Sequence, residues 1–244
     1  MSKRLTTDYV ANFNKELDSI DKLEETPKII RKQAVQALDT ILVNSNDLVF
    51  TDRNIIENTK KALENISESS IKNNFKIIYS QMCVLAVSSL EAILKRYFED
   101  SLNNLKNINR KNKKLKESKI SFYELVENNL KFNGHFGKLV IEKNKPNFQD
   151  FKSIKSVFED YLSKEIILNN DKEKKICFYL EARHVLVHKG GIVDEKFISA
   201  TESFDANIKG YKKGDPIEIN EEDWSSIKVV LGELVSQVTK QNKK

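Results

Sequence analysis

The sequence predicts an all-α protein, a helical bundle, on three observations. Its 244 residues include only seven Gly and three Pro, about 3% and 1% against usual shares of about 7% and 5%. No Gly precedes Gly134, and sheets need frequent turns built from such residues. Apolar residues recur at spacings of three and four over long stretches, the period of a helix with one buried face. These features argue against an all-β fold, a Rossmann or P-loop domain and a collagenous chain. The length allows one large domain or two small ones with a sizeable core.

Residues 6–45 carry the first stripes. Val10, Phe13, Leu17 and Ile20 mark one helix, and Pro27 is expected to open a second through Ile29, Ile30, Val35, Leu38 and Leu42. A more polar helix is expected over Thr51 to Ile66. Residues 1–68 thus read as accessory N-terminal helices packed on a core domain of residues 69–244, because their stripes are thin and their surface is highly charged. A loop at Ser67–Ser70 leads into the strongest helix, about Ile71 to Leu102. A short helix near Ser121–Leu130 and a turn at Asn133–Gly137, with His135 as a loop residue, come next. Helices are then expected at about Phe148–Ile167 and Lys172–Val187, the latter stopped by Gly190–Gly191. Gly210, Gly214 and Pro216 punctuate Phe204–Ile219, which reads as a loop or a small β-hairpin before the last helix. Asn220 caps that helix, and Glu221, Glu222 and Asp223 suit its dipole.

The net charge is +5, and its source is local. Between Lys106 and Lys119 seven basic residues face only Glu117, giving +7 − 1 = +6 in one segment. A solvated loop is the plain reading. A tether for nucleic-acid phosphates is the functional one, although the segment has no aromatic residues for base stacking. Cys83 and Cys177 lie in apolar stretches without metal or redox spacing and read as buried thiols of a reducing cytosol. The N-terminus lacks the apolar core of a signal peptide. The longest uncharged apolar-rich window, Ile77 to Leu90, is too short to span a bilayer. A cytoplasmic protein without a membrane partner is expected.

Polar residues interrupt the apolar stripes at two places. Glu91 shares a face with Val84, Val87, Leu94 and Phe98, and Arg183 shares one with Ile176, Tyr179, Leu180, Leu186 and Val187. A buried carboxylate and a buried guanidinium on separate helices are natural partners. They form either a structural ion pair or a device that holds the Arg fork for a phosphate oxygen. His184 and His188 are one turn apart, with Glu181 on the same face. Their spacing suits metal ligation, but HVLVH lacks the Glu of HExxH and no third ligand is assigned, so no metal or other cofactor is expected. His188, beside the Gly stop, could act as a general acid or base near neutral pH. Both could equally be surface residues.

The string EARHVLVHKGGIVDEKFI, Glu181 to Ile198, contains Arg183-x4-His188. It resembles the R-x4–6-H motif of the HEPN superfamily, helical-bundle proteins of prokaryotic toxin and antiviral systems. His184 stands where that motif often has Asn, Asp or His. VSSLEAILKRYFED, Val87 to Asp100, is similar to the first core helix, with Glu91 at the acidic position facing the Arg. The continuation through Asp194 and Phe197 and the late DPIEINEEDW stretch resemble the RiboL-PSP-like bacterial branch. The specific likeness covers fewer than thirty residues, and residues 1–66 match no pattern of the family.

The resemblance implies a metal-independent endoribonuclease whose two R-x4–6-H motifs meet in a homodimer. An RNA 2′-hydroxyl would attack the adjacent phosphorus. His188 would move the proton, Arg183 would stabilise the phosphate charge, Glu91 would orient Arg183, and His184 would contact phosphate or support the site. A cognate antitoxin or defence-system protein would be the further partner. Residues five apart on a straight helix point about 140° from each other, so a compact site needs a distorted last turn or a second subunit. Two alternatives remain open: a catalytically silent module binding RNA, a nucleotide or a protein, and a helical scaffold in which Glu91–Arg183 is only an ion pair.

Overall fold

The computed structural model describes residues 2–44, 50–65, 68–104 and 135–240, with Leu115, Ser121, Tyr123 and Val126 as single positions. Among the described residues the architecture is all-α, a bundle with extra N-terminal helices and no β-sheet. The basic segment Lys106–Lys119, apart from Leu115, and most of the helix expected near Ser121–Leu130 lie outside the described residues.

α1 (Ser2–Asn44) and α2 (Phe50–Asn65) form the N-terminal pair. Pro27 does not begin a new helix, as the sequence suggested, but sits inside α1. It lies on an exposed side of α1, where the Leu23 carbonyl that it deprives of a donor meets solvent. The two halves of α1 then differ. Tyr9, Phe13, Leu17 and Ile20 are buried in the common core, whereas residues 21–43 are at most half-buried. The outer half is held to α2 by polar contacts instead. Arg31 donates to the Leu63 and Glu64 carbonyls at the end of α2, at 2.9 and 3.1 Å, and Lys60 meets Asp39 at 2.6 Å.

α3 (Glu68–Asn103) is the centre of the bundle, touching α1, the last helix and three others. Its first turn takes in Glu68–Ser70, which the sequence reading assigned to a loop. Met82, Cys83, Ala86, Val87, Leu90, Leu94, Phe98 and Leu102 are all fully enclosed. The 29 residues Phe75–Asn103 are long and apolar enough to cross a membrane by length and composition, a wider stretch than the uncharged window showed. In the fold this apolarity is spent on the core, because neighbours cover α3 on several sides.

α4 (Phe136–Asn144) was not expected; its start was read as a Gly turn. Gly137 explains it. A Cβ there would lie 2.2 Å from the Glu99 carbonyl oxygen of α3, so only Gly permits the approach, and its amide donates to Asn103 at 2.8 Å. α5 (Phe151–Leu162) is shorter than its expected span of 148–167. Asp150 caps it by accepting the Ser153 amide, and Ser163 ends it at φ 50°. Residues 163–169, without regular structure, lead to Asn169, the cap of α6 (Asn170–His188). Ile176 through Ala182 are buried without a gap, which marks α6 as enclosed all round at its middle.

α7 (Glu195–Glu202) is a second element the sequence reading missed. Residues 204–219 form no hairpin. They instead make one antiparallel bridge to the chain leaving α6, with Val193 and Asp215 joined at 2.9 Å and Ile217 and Gly191 at 2.8 Å. Asp205, Gly210 and Gly214 take positive φ, and the segment turns repeatedly instead of running as two paired strands. α8 (Glu221–Thr239) begins as expected at Asn220, which shares a reciprocal capping box with Asp223. One face of α8, from Trp224 to Val238, closes the core against α1, α3 and α6.

Candidate functional site

The candidate site is the last two turns of α6 and what lies against them. α6 stays regular through His188. Both the Lys189 and Gly191 amides then donate to the Val185 carbonyl, at 2.9 and 3.1 Å, and Gly190 and Gly191 take the positive φ values of the stop. The last turn is therefore not distorted. Arg183 and His188 keep the wide angular separation that a straight helix imposes.

Arg183 faces α3. Its Nη1 lies 3.9 Å from Glu91 Oε1, and the two side chains are 16% and 19% exposed. This is looser than the fork that the sequence suggested. Glu91 Oε1 and Arg183 Nε are buried, and neither has a hydrogen-bond partner among the described residues. A charge pair at that distance gains attraction without recovering the hydrogen bonds lost to water. The carboxyl group registers the imbalance. Burial pushes Glu91 above its ordinary value, and the Arg183 charge only partly opposes the rise.

His184 and His188 lie together on the other side of α6. Their ring centroids are 4.9 Å apart with an interplanar angle of 52°. His184 is half-buried and His188 exposed. Burial, Lys196, His188 and Arg183 lower the proton affinity of His184, and Asp194 opposes them. These influences together favour the neutral ring of His184. Glu181, on the same stripe, is 8% exposed. Burial raises its carboxyl value, while Lys196 lowers it.

The four residues singled out from sequence therefore fall into two pairs, Glu91 with Arg183 and His184 with His188. Lys196 was not singled out, although its Nζ lies 3.5 Å from His184 Nε2. The signal was the string VDEKF, where Asp194 caps α7 and accepts the Phe197 amide at 2.9 Å. A cap directly after the Gly stop implies a helix turning back over α6.

Among the described residues no three His, Cys, Asp or Glu side chains gather to hold a metal ion. The thiols of Cys83 and Cys177 are buried, and burial pushes both up to about 12, away from nucleophilic chemistry. Comparison with protein-family models, with curated proteins and with solved structures gives no match to this chain.

Proposed function

We propose that this chain is a metal-independent endoribonuclease of the HEPN type, acting as a homodimer in the cytoplasm as a toxin or antiviral defence effector. One observation carries the reading. A guanidinium touches a single carboxylate loosely, at 3.9 Å, on the same two turns as a pair of imidazoles 4.9 Å apart. A cation, a proton carrier and a neutral second imidazole are what transfer at a phosphodiester requires.

In the proposed reaction the 2′-hydroxyl oxygen bonds to the adjacent phosphorus as its proton passes to a histidine. The bond from phosphorus to the 5′-oxygen breaks, and that oxygen leaves with a proton from water. Arg183 balances the charge that builds on the non-bridging oxygens. A 2′,3′-cyclic phosphate and a 5′-hydroxyl result. The straight α6 supports a dimer, because Arg183 of one copy and His188 of the other can meet where those of one copy diverge.

The test is incubation of the purified protein with total RNA in EDTA, followed by end-group analysis. Cleavage should persist without metal, give cyclic-phosphate ends, and vanish in Arg183→Ala and His188→Ala. A divalent-metal requirement would sink the mechanism. Tight RNA binding with no turnover on varied RNAs would favour a silent binding module instead.

A further inference from the structure

Beside the Arg183–His188 motif stands a lysine that the reaction above does not use. The short connection after α6 folds α7 back across it, which brings Lys196 Nζ to 3.5 Å from His184 Nε2. Of the carboxylates nearby, Asp194 and Glu195 have other partners, while Glu181 feels the Lys196 charge from within the fold. Asp194 caps α7 through Oδ1 and lies 3.7 Å from Lys189 Nζ through Oδ2. Glu195 pairs with Lys213 at 2.5 Å, and Glu181 is buried. The exposed Lys196 ammonium therefore faces an imidazole, with a second imidazole centred 4.9 Å from the first.

Such an arrangement is poorly balanced as it stands. Of the groups that act on His184 from its own helix and from α7, Lys196, His188 and Arg183 all oppose a positive charge, and Asp194 alone favours one. A cation beside a half-buried imidazole costs energy that an entering anion would return, since one anionic oxygen can accept from both nitrogens. Lys suits this place because its ammonium is a compact charge with three rotatable donors.

We propose that Lys196 and His184 form a second phosphate subsite, which takes the phosphodiester next to the scissile one. The preferred substrate is then an RNA strand with at least two phosphates, and a dinucleotide leaves this subsite unused. That the anion is an RNA phosphate rests on the ribonuclease reading; that an anion binds here does not.

The full-length protein is titrated with inorganic phosphate while the ring Cε1–H resonances of its histidines are followed by NMR. The His184 resonance should move saturably, and its proton affinity should rise with phosphate bound. Lys196→Met should weaken phosphate binding by about three- to tenfold, and Lys196→Arg should restore most of it. Unchanged affinity in Lys196→Met, or phosphate that moves His188 and leaves His184 in place, would overturn the subsite. If phosphate binds as expected and no RNA is cut, the subsite stands and the ribonuclease reading fails. Where RNA is cut, Lys196→Met should slow cleavage of a longer strand while sparing a dinucleotide. Equal losses on both would put Lys196 at the scissile phosphate and refute the second subsite.

Discussion

Two carboxylates each join helices of the bundle, and they do so in opposite ways. Asp21 of α1 accepts the Trp224 indole N–H at 2.5 Å and meets Lys228 Nζ at 3.0 Å, so both α8 partners are satisfied. Glu91 of α3 meets only Arg183, at 3.9 Å, and leaves buried polar atoms without partners among the described residues. Asp21 acts as a joint: its bonds are complete and nothing further is needed. Glu91 and Arg183 are under-satisfied, which proteins tolerate chiefly where another group is to be bound or held. The difference is the one expected between polar residues that serve the fold and those proposed to serve a site.

The comparison can be broken most sharply at His188. His188→Ala should lower RNA cleavage by about 10²–10⁴-fold and leave the urea midpoint unchanged, because His188 is exposed. A matching loss of stability would mean that His188 supports the fold instead.

Asp21→Ala should behave in reverse. Leaving the Trp224 N–H and the Lys228 ammonium without their acceptor should cost about 1–3 kcal/mol in denaturant unfolding, while activity per folded molecule is kept.

Glu91 gives a smaller, pH-dependent effect. Its folded value is raised above the ordinary 4.5 by burial, so the folded state holds the proton more strongly than the unfolded one. That contribution is fully present below the unfolded value and is lost as pH rises through the folded one. The stability of the native chain relative to Glu91→Gln should therefore fall as pH rises from about 4 towards 7. Parallel curves would show that Glu91 is not the buried titrating group. The smallest effect belongs to Lys213→Ala, which removes an exposed pair with Glu195. It should leave both the urea midpoint and cleavage unchanged, as expected for an exposed, solvent-screened pair.

Much of this was legible before any tertiary structure. The apolar stripe of α3 followed from periodicity, and the Asn220 cap and the Gly190–Gly191 stop followed from local chemistry. Other features were not legible, each for a physical reason. α4 was hidden because Gly137 reads locally as a turn, whereas its role is a close approach to the Glu99 carbonyl. Pro27 reads as a helix start because its cost depends on whether the carbonyl it strands is buried or wet. The end of α5 turns on Ser163 adopting a left-handed conformation, which local propensity does not foretell. At the site, Glu91, Arg183, His184 and His188 stood out as polar interruptions of apolar stripes. Lys196 did not, because one Lys among many carries no periodic signal.

The sequence by itself determined the helical class, the main helix stops and the residues that break the apolar faces. These depend on backbone propensity and spacing along one chain. The tertiary structure decided the rest. It set the Glu91–Arg183 gap at 3.9 Å, kept α6 straight through His188, and folded α7 back so that Lys196 faces His184. Those are distances between elements far apart in sequence, set by how whole helices pack and by which buried groups are left without a partner.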